Sequence, residues 1–172
     1  MDDRGYVQVY TGNGKGKTTA ALGIAARMLC SGGYVYLGQF MKGQDYSELG
    51  LSKHFKRLKH EQYGEPGFVN GKPTEKDILL AREGLRIASE ALLSGKYDMV
   101  VLDEINTALH FGLVGVPEAL ALIAARPAHT ELILTGRHAP EAIIEAADLV
   151  TEMREVKHYY SKGVKARVGI EK

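Results

Sequence analysis

The sequence predicts an α/β protein, a three-layer fold with a mainly parallel central sheet, and three observations carry that expectation. Apolar runs of strand length alternate with stretches of helical period, the pattern of repeated strand-helix-strand units. Several runs, such as Met99-Val100-Val101-Leu102, are apolar at every position, as suits a strand covered on both faces. A glycine-rich turn, Gly12 to Gly16, joins the first strand to the first helix. The length of 172 residues suits a single domain spanning 1–172, large enough to bury a core without disulfides or a structural metal.

In chain order, Tyr6-Val7-Gln8-Val9-Tyr10 alternates β-branched and aromatic residues and reads as the first strand, and the alanine-rich stretch from Lys17 to Leu29 reads as a helix. Gly32-Gly33 closes that helix, and Tyr34 to Phe40 forms the second strand. Ser47 to Phe55 reads as a short helix and Leu58 to Tyr63 as a strand. From Gly64 to Pro73, three glycines and two prolines leave no room for regular structure. A long helix follows from Thr74 to Leu93, with Thr74 and Asp77 as its start signal and Ile78, Leu79, Ala81, Leu85, Ala88 and Leu92 as its apolar stripe. Met99 to Leu102 is a strand, Pro117 to Ala125 a helix stopped before Pro127, Glu131 to Thr135 a strand, Pro140 to Ala147 a helix, and Leu149 to Val156 the last strand.

Composition excludes several function classes. With 22 basic against 21 acidic side chains the net charge is +1, too small a field for nucleic acid or an anionic membrane to be the main partner. The longest apolar run, Ala119 to Ala125, is too short to cross a bilayer. The acidic start, Met1-Asp2-Asp3-Arg4-Gly5, contains no apolar secretion signal, and the one cysteine, Cys30, suits a reducing compartment; the expectation is a cytoplasmic protein. At the end of an apolar helical stretch, Cys30 reads as a buried free thiol.

The chemistry concentrates at strand ends. Thr11-Gly12-Asn13-Gly14-Lys15-Gly16-Lys17-Thr18-Thr19 matches the end of the phosphate-loop pattern G-x-x-x-x-G-K-[ST], with Thr11 standing where glycine is expected. Glycines let successive amides turn toward phosphate oxygens, Lys15 and Lys17 add positive charge, and the Thr18 hydroxyl is suited to ligate Mg²⁺. A dinucleotide fingerprint fits less well, because no third glycine follows at the required offset. The class thus narrows to a P-loop NTPase (RecA-like) fold binding a nucleoside triphosphate. The strand Met99 to Leu102 ends in Asp103-Glu104; such a strand is expected beside the first one, with Glu104 the preferred metal ligand and Asp103 its partner. Taken alone, the pair is also compatible with a solvated strand end. Leu132-Ile133-Leu134-Thr135-Gly136 delivers Arg137 to the carboxyl edge, where ligands of open α/β sheets bind; a surface arginine after a turn is the plainer alternative. His54, His60, His138 and His158 show no metal-ligand spacing and read as surface histidines.

Together, Thr11 to Ala21, Val101 to Glu104, Leu134 to Arg137, Val156 to His158, Lys162 to Ala166 and Gly169 to Glu171 closely resemble the ATP:corrinoid adenosyltransferases of the cobalamin pathway. The resemblance implies that cobalt(I) of a reduced corrinoid attacks the 5′ carbon of ATP and that inorganic triphosphate leaves. It assigns catalysis to Lys17 and Arg137, ATP binding to Gly12, Asn13, Gly14, Lys15, Gly16, Lys17, Thr18, Thr19, Arg27 and Arg137, and Mg²⁺ or Mn²⁺ to Thr18, Glu104 and Asp103. Phe68 matches the first of an aromatic pair that crowds the lower face of cobalt in this family; the second position carries Asn70 where the family has tryptophan. Arg27 reads equally as a solvated helix-end residue, and Phe68 as a hydrophobic anchor of its loop. A homodimer is implied, and an electron-donating flavoprotein is a candidate partner. About five residues precede the first strand, so closure over the corrinoid is expected from Gly43 to Pro73 or from the basic tail, Lys157 to Lys172, which also reads as a plain solvated tail. Competing readings are a small-molecule kinase or ATPase cleaving the γ-phosphate of ATP, and a non-catalytic corrinoid or nucleotide carrier.

Overall fold

A computed structural model describes residues 4–66 and 72–172. Its six strands are β1 (Val7–Thr11), β2 (Val35–Phe40), β3 (Leu58–Tyr63), β4 (Met99–Asp103), β5 (Glu131–Thr135) and β6 (Leu149–Glu152). They form one sheet in the order β3-β2-β4-β5-β1-β6, and every pairing is parallel. The helices are α1 (Lys17–Cys30), α2 (Leu51–His54), α3 (Glu75–Leu93), α4 (Ile105–His110), α5 (Val116–Ala125) and α6 (Glu141–Ala146), with short 3₁₀ turns at Ser47–Gly50 and Tyr159–Lys162. Among the described residues no helix is long and apolar enough to cross a membrane.

The period of two along each strand sorts apolar side chains into two cores. Val35 and Leu37 of β2, Met99 and Val101 of β4 and Ile133 of β5 pack against Ala21, Ala25 and Leu29 of α1. The intervening residues, Tyr36, Phe40, Val100, Leu102, Leu132 and Leu134, meet α3, α4, α5 and α6 on the opposite face. Central strands are covered twice, which is why they read as continuous apolar runs. Edge strand β6 is exposed at all four residues.

Helix α3 begins as its sequence signal predicts. The Thr74 hydroxyl accepts from the Asp77 amide at 3.1 Å and the Asp77 carboxylate accepts from the Thr74 amide at 2.8 Å, a closed capping box.

Three expectations are corrected, and one helix that the sequence did not announce is added. β1 and β4 are not neighbours; β5 lies between them, paired with both. Helix α4 follows β4 directly with no recognisable start signal, because its N-cap is Glu104 in the left-handed conformation, φ 62°. The last strand stops at Glu152 instead of reaching Val156. Cys30 is exposed, since the buried stripe of α1 runs through Lys17, Ala21, Ala25 and Leu29, and the next residue turns about 100° away from it.

Candidate active site

The carboxyl ends of β1, β4 and β5 meet beside the N-terminus of α1, the crevice where open parallel sheets bind ligands. Thr11 is the last residue of β1, and its hydroxyl accepts from the Ala139 amide at 3.2 Å, so a side chain is needed at that position. The reversal falls to Gly12, φ 96°, where a Cβ would stand 2.5 Å from the Met153 carbonyl. The Gly14 amide donates to that same carbonyl at 2.7 Å, so the chain leaving β6 braces the phosphate loop.

Lys17, in the first turn of α1, is 7% exposed and donates to the Gly12 and Gly14 carbonyls at 2.7 and 2.8 Å. Burial and the Arg137 guanidinium lower its ammonium below the ordinary lysine range, against the opposing pull of Glu104 and Asp103. Lys17 thus sits within electrostatic reach of both strand-end acids and of Arg137.

Asp103 is the node of the site. Its side chain is fully buried and accepts four hydrogen bonds: at Oδ1 from Thr18 Oγ1 (2.9 Å) and Thr135 Oγ1 (2.6 Å), and at Oδ2 from Gln39 Nε2 (3.0 Å) and Lys42 Nζ (2.7 Å). Burial would raise this carboxyl; the Lys42 ammonium and the hydroxyls of Thr135 and Thr18 outweigh it and hold the group below the ordinary carboxylate range. The intervening strand β5 does not break the link between β1 and β4, because Thr135 at its end fills the space and donates to Asp103.

Glu104 faces the cavity beside this node. Its amide donates to Thr135 Oγ1 at 3.0 Å and its Oε2 accepts from Thr107 Oγ1 at 2.6 Å. The Thr107 hydroxyl in turn accepts from the Arg137 amide at 3.1 Å, which ties the end of β5 to α4. Gly136, φ 132°, permits this approach, since a Cβ there would lie 2.7 Å from the Thr107 amide. Left-handed backbone at a non-glycine residue costs of order 1–3 kcal/mol and is typical of functional positions; at Glu104 it turns the carboxylate into the cavity.

The cavity, about 990 Å³, is lined by the phosphate loop from Gly14 to Thr19, by Glu104 and Arg137, and by two walls that sequence reasoning did not resolve in detail. One is the segment after β2: Lys42 forms an ion pair with Glu48 at 3.5 Å and lies over the Tyr46 ring at 5.1 Å. The other is the tail. Ser47 Oγ donates to the Lys172 carbonyl at 2.9 Å and accepts from the Gly169 amide at 3.2 Å, while Lys15 Nζ donates to the Ile170 carbonyl at 3.4 Å and lies 3.9 Å from Glu171. Within the tail, Arg167 and the Tyr159 hydroxyl hold the Glu171 carboxyl down to about 2. Parts of both segments thus meet at the rim of this cavity, although Gly169, Ile170 and Lys172 are themselves exposed to solvent.

Of the residues singled out from sequence, Gly14, Lys15, Gly16, Lys17, Thr18, Thr19, Glu104 and Arg137 line the cavity. Gly12 bonds Lys17 from the loop's start, Asn13 is exposed beside it, and Asp103 lies behind Thr18. Arg27, ten residues beyond Lys17 in α1 and so about 15 Å along the helix, does not line the cavity. Phe68 and Asn70 lie outside the described residues. His54 and His158 line the cavity, whereas His60 is half-buried, its Nε2 2.9 Å from Gln39 Oε1, behind Asp103. Lys42 and Gln39 escaped notice because a lysine and a glutamine at a strand end carry no local signature; only the sheet order brings them to Asp103.

The donor set suits a hard divalent cation. Thr18 and Glu104 present oxygen atoms to the cavity, Asp103 stands behind Thr18 with both oxygens already hydrogen-bonded, and among the described residues no cluster of three or more His, Cys, Asp or Glu side chains forms a metal site. Magnesium is typically held by one or two carboxylates together with substrate phosphates, as this arrangement allows.

Comparison with known proteins places this geometry in a family context. The family model described as ATP:corrinoid adenosyltransferase BtuR/CobO/CobP matches residues 3–171. A corrinoid adenosyltransferase of Pseudomonas aeruginosa is 40% identical over 174 residues, covering 99% of this chain and 85% of that protein. The corresponding enzymes of Salmonella typhimurium and Escherichia coli are 36% and 37% identical, each match covering 99% of this chain and 87% of the relative.

Proposed function

The chain belongs to the ATP:corrinoid adenosyltransferase family, and from that premise we propose how its residues transfer the 5′-deoxyadenosyl group of ATP to the cobalt(I) of a corrinoid with release of inorganic triphosphate. Reduced cobalt is itself a strong nucleophile, so the protein needs no side-chain nucleophile or general base; its work is to hold the 5′ carbon in line and to stabilise the charge of the leaving triphosphate. Amides of the loop from Asn13 to Thr19, the ammonium groups of Lys15 and Lys17, and the Arg137 guanidinium form the anion-binding side of the cavity. Burial of Lys17 strengthens its attraction to phosphate, since the charge is poorly screened.

Thr18 and Glu104 would hold Mg²⁺ or Mn²⁺, with Asp103 acting on the ion through the Thr18 hydroxyl, and the ion when bound supplies further positive charge to phosphate oxygens. Glu104 presents its carboxylate to the cavity, whereas Asp103 reaches it through Thr18. Phe68 and Asn70 belong to the corrinoid side by the family resemblance alone, as do Arg27 as a phosphate contact, the homodimer and the electron-donating flavoprotein. The reading takes residues 1–172 as one domain acting in the cytoplasm, in cobalamin biosynthesis or salvage.

The observation that carries the assignment is the cavity that gathers Lys15, Lys17, Thr18, Glu104 and Arg137, with Asp103 bonded to Thr18 from behind. Incubation with MgATP and a chemically reduced corrinoid should yield adenosyl-corrinoid and triphosphate, read by phosphorus resonance. Only ADP or orthophosphate would point to γ-phosphate cleavage and overturn the reading. Lys17→Ala should lower kcat/KM by about 100-fold or more, as removal of a central charge-stabilising group does; wild-type turnover would remove Lys17 from the site.

A further inference from the structure

Lys42 has no counterpart in the phosphate-loop pattern, yet it bonds the most buried acid of the site. After β2 the chain turns at Met41, φ 58°, whose amide donates to the Tyr63 carbonyl at 3.0 Å, and this turn carries Lys42 back over the strand ends. Its side chain is 13% exposed and lies 2.7 Å from Asp103 Oδ2 and 3.5 Å from Glu48 Oε1. Among the described residues, Lys42 is the one cation paired with Asp103, whose other donors, Thr18, Thr135 and Gln39, are neutral. A wholly buried carboxylate needs a counter-charge, and the position of that charge decides which oxygen faces which neighbour.

We propose that Lys42 is a positioning residue of the nucleotide site: by engaging Asp103 Oδ2 it keeps Oδ1 aimed at the Thr18 hydroxyl, and so sets the orientation of the phosphate-loop threonine. Lys42 also links that threonine to the wall. Glu48 accepts from Gln39 Nε2 at 3.1 Å as well as pairing with Lys42, and the adjacent Ser47 holds the tail, so the node and the cavity rim form one connected polar network. Lys42 acts through Asp103; its ammonium is already engaged by two carboxylates and the Tyr46 ring, which leaves little of it for phosphate. The inference rests on the reading of this cavity as an ATP site.

The test is a double-mutant cycle on ATP binding, measured by titration calorimetry with and without Mg²⁺ and in the absence of corrinoid. Lys42→Met should weaken MgATP binding about 10- to 100-fold, the usual effect of losing a partner that orients a ligating group. In the Asp103→Asn background the same change should alter binding less than about threefold, because the group through which Lys42 acts is gone. Lys42→Arg should recover part of the loss. Losses of equal size in both backgrounds, or wild-type binding by Lys42→Met, would overturn the proposal. If Lys42→Met alone does not fold, as circular dichroism would reveal, Asp103→Asn, in which Lys42 keeps Glu48 as its partner, and the double variant, in which Glu48 keeps the Gln39 amide, still decide, since neither leaves the wholly buried Asp103 carboxylate without a counter-charge. Equal binding by these two supports the proposal, and a further loss in the double variant refutes it. Calorimetry reads this independently of chemistry: wild-type protein that binds MgATP but transfers no adenosyl group would defeat the functional reading while leaving the Lys42 comparison decisive.

Discussion

At the scale of single residues, the site depends on hydroxyls and amides that each serve two partners. Thr135 donates to Asp103 and accepts from the Glu104 amide; Thr107 donates to Glu104 and accepts from the Arg137 amide. His60 extends this network behind Asp103. Gln39 Oε1 accepts from Gln62 at 3.2 Å, so the His60 Nε2 facing the same oxygen at 2.9 Å carries its proton and donates. Burial pushes the His60 imidazole below the ordinary histidine value of about 6.5. In the unfolded chain the ring takes a proton as pH falls through that value, whereas the folded protein resists until a lower pH, so the contribution of His60 to stability, present above a pH of about 6.5, is lost as pH falls below it. His60→Gln, which retains an amide donor toward Gln39, should flatten that segment of the denaturant-measured stability curve. An unchanged slope would show that another group controls it. The phosphate loop was legible because its nine residues are contiguous and each type has a local reason. Gln39, Lys42 and His60 were not, because their roles exist only once three strands lie side by side.

At the scale of elements, legibility follows how local the cause is. Helix α3 was recoverable nearly to the residue, since the capping box of Thr74 and Asp77 acts within one turn. Helix α4 was missed because Glu104 enters it from a left-handed conformation that no propensity favours; tertiary contacts from Thr135 and Thr107 hold it there. The tail is the least local element. Its fold depends on Glu171, which gathers Arg167 and the Tyr159 hydroxyl and approaches Lys15. Glu171→Gln removes the charge that organises these contacts, and limited trypsin digestion should then cut faster at Lys162, Lys165 and Arg167 than in the wild type. Cleavage at an unchanged rate would mean that the tail is held by its backbone bonds to Ser47 and Lys15 alone.

At the scale of the whole molecule, stability and closure come from different parts. The sheet and its two apolar layers supply the core, while no residue from Lys157 to Lys172 is buried. The pairing of Lys15 with Glu171 at 3.9 Å is partly exposed, and pairs of that kind contribute little to folding. The cavity of about 990 Å³ persists with the tail in place, so residues 169–172 act as a wall and not as a plug. A chain ending at Val156 should therefore melt within a few degrees of the full-length protein when no ligand is present. MgATP should stabilise the two forms differently. Ligand present at 100 times its dissociation constant adds about 2.7 kcal/mol to the stability of the full protein, and a tenfold loss of affinity would reduce that gain to about 1.4 kcal/mol at the same concentration. Thermal scans with and without MgATP thus separate the two roles. A large drop in the ligand-free melting temperature would make the tail part of the core, and equal MgATP shifts in both forms would show that the nucleotide does not reach the wall that Ser47 and the tail build together.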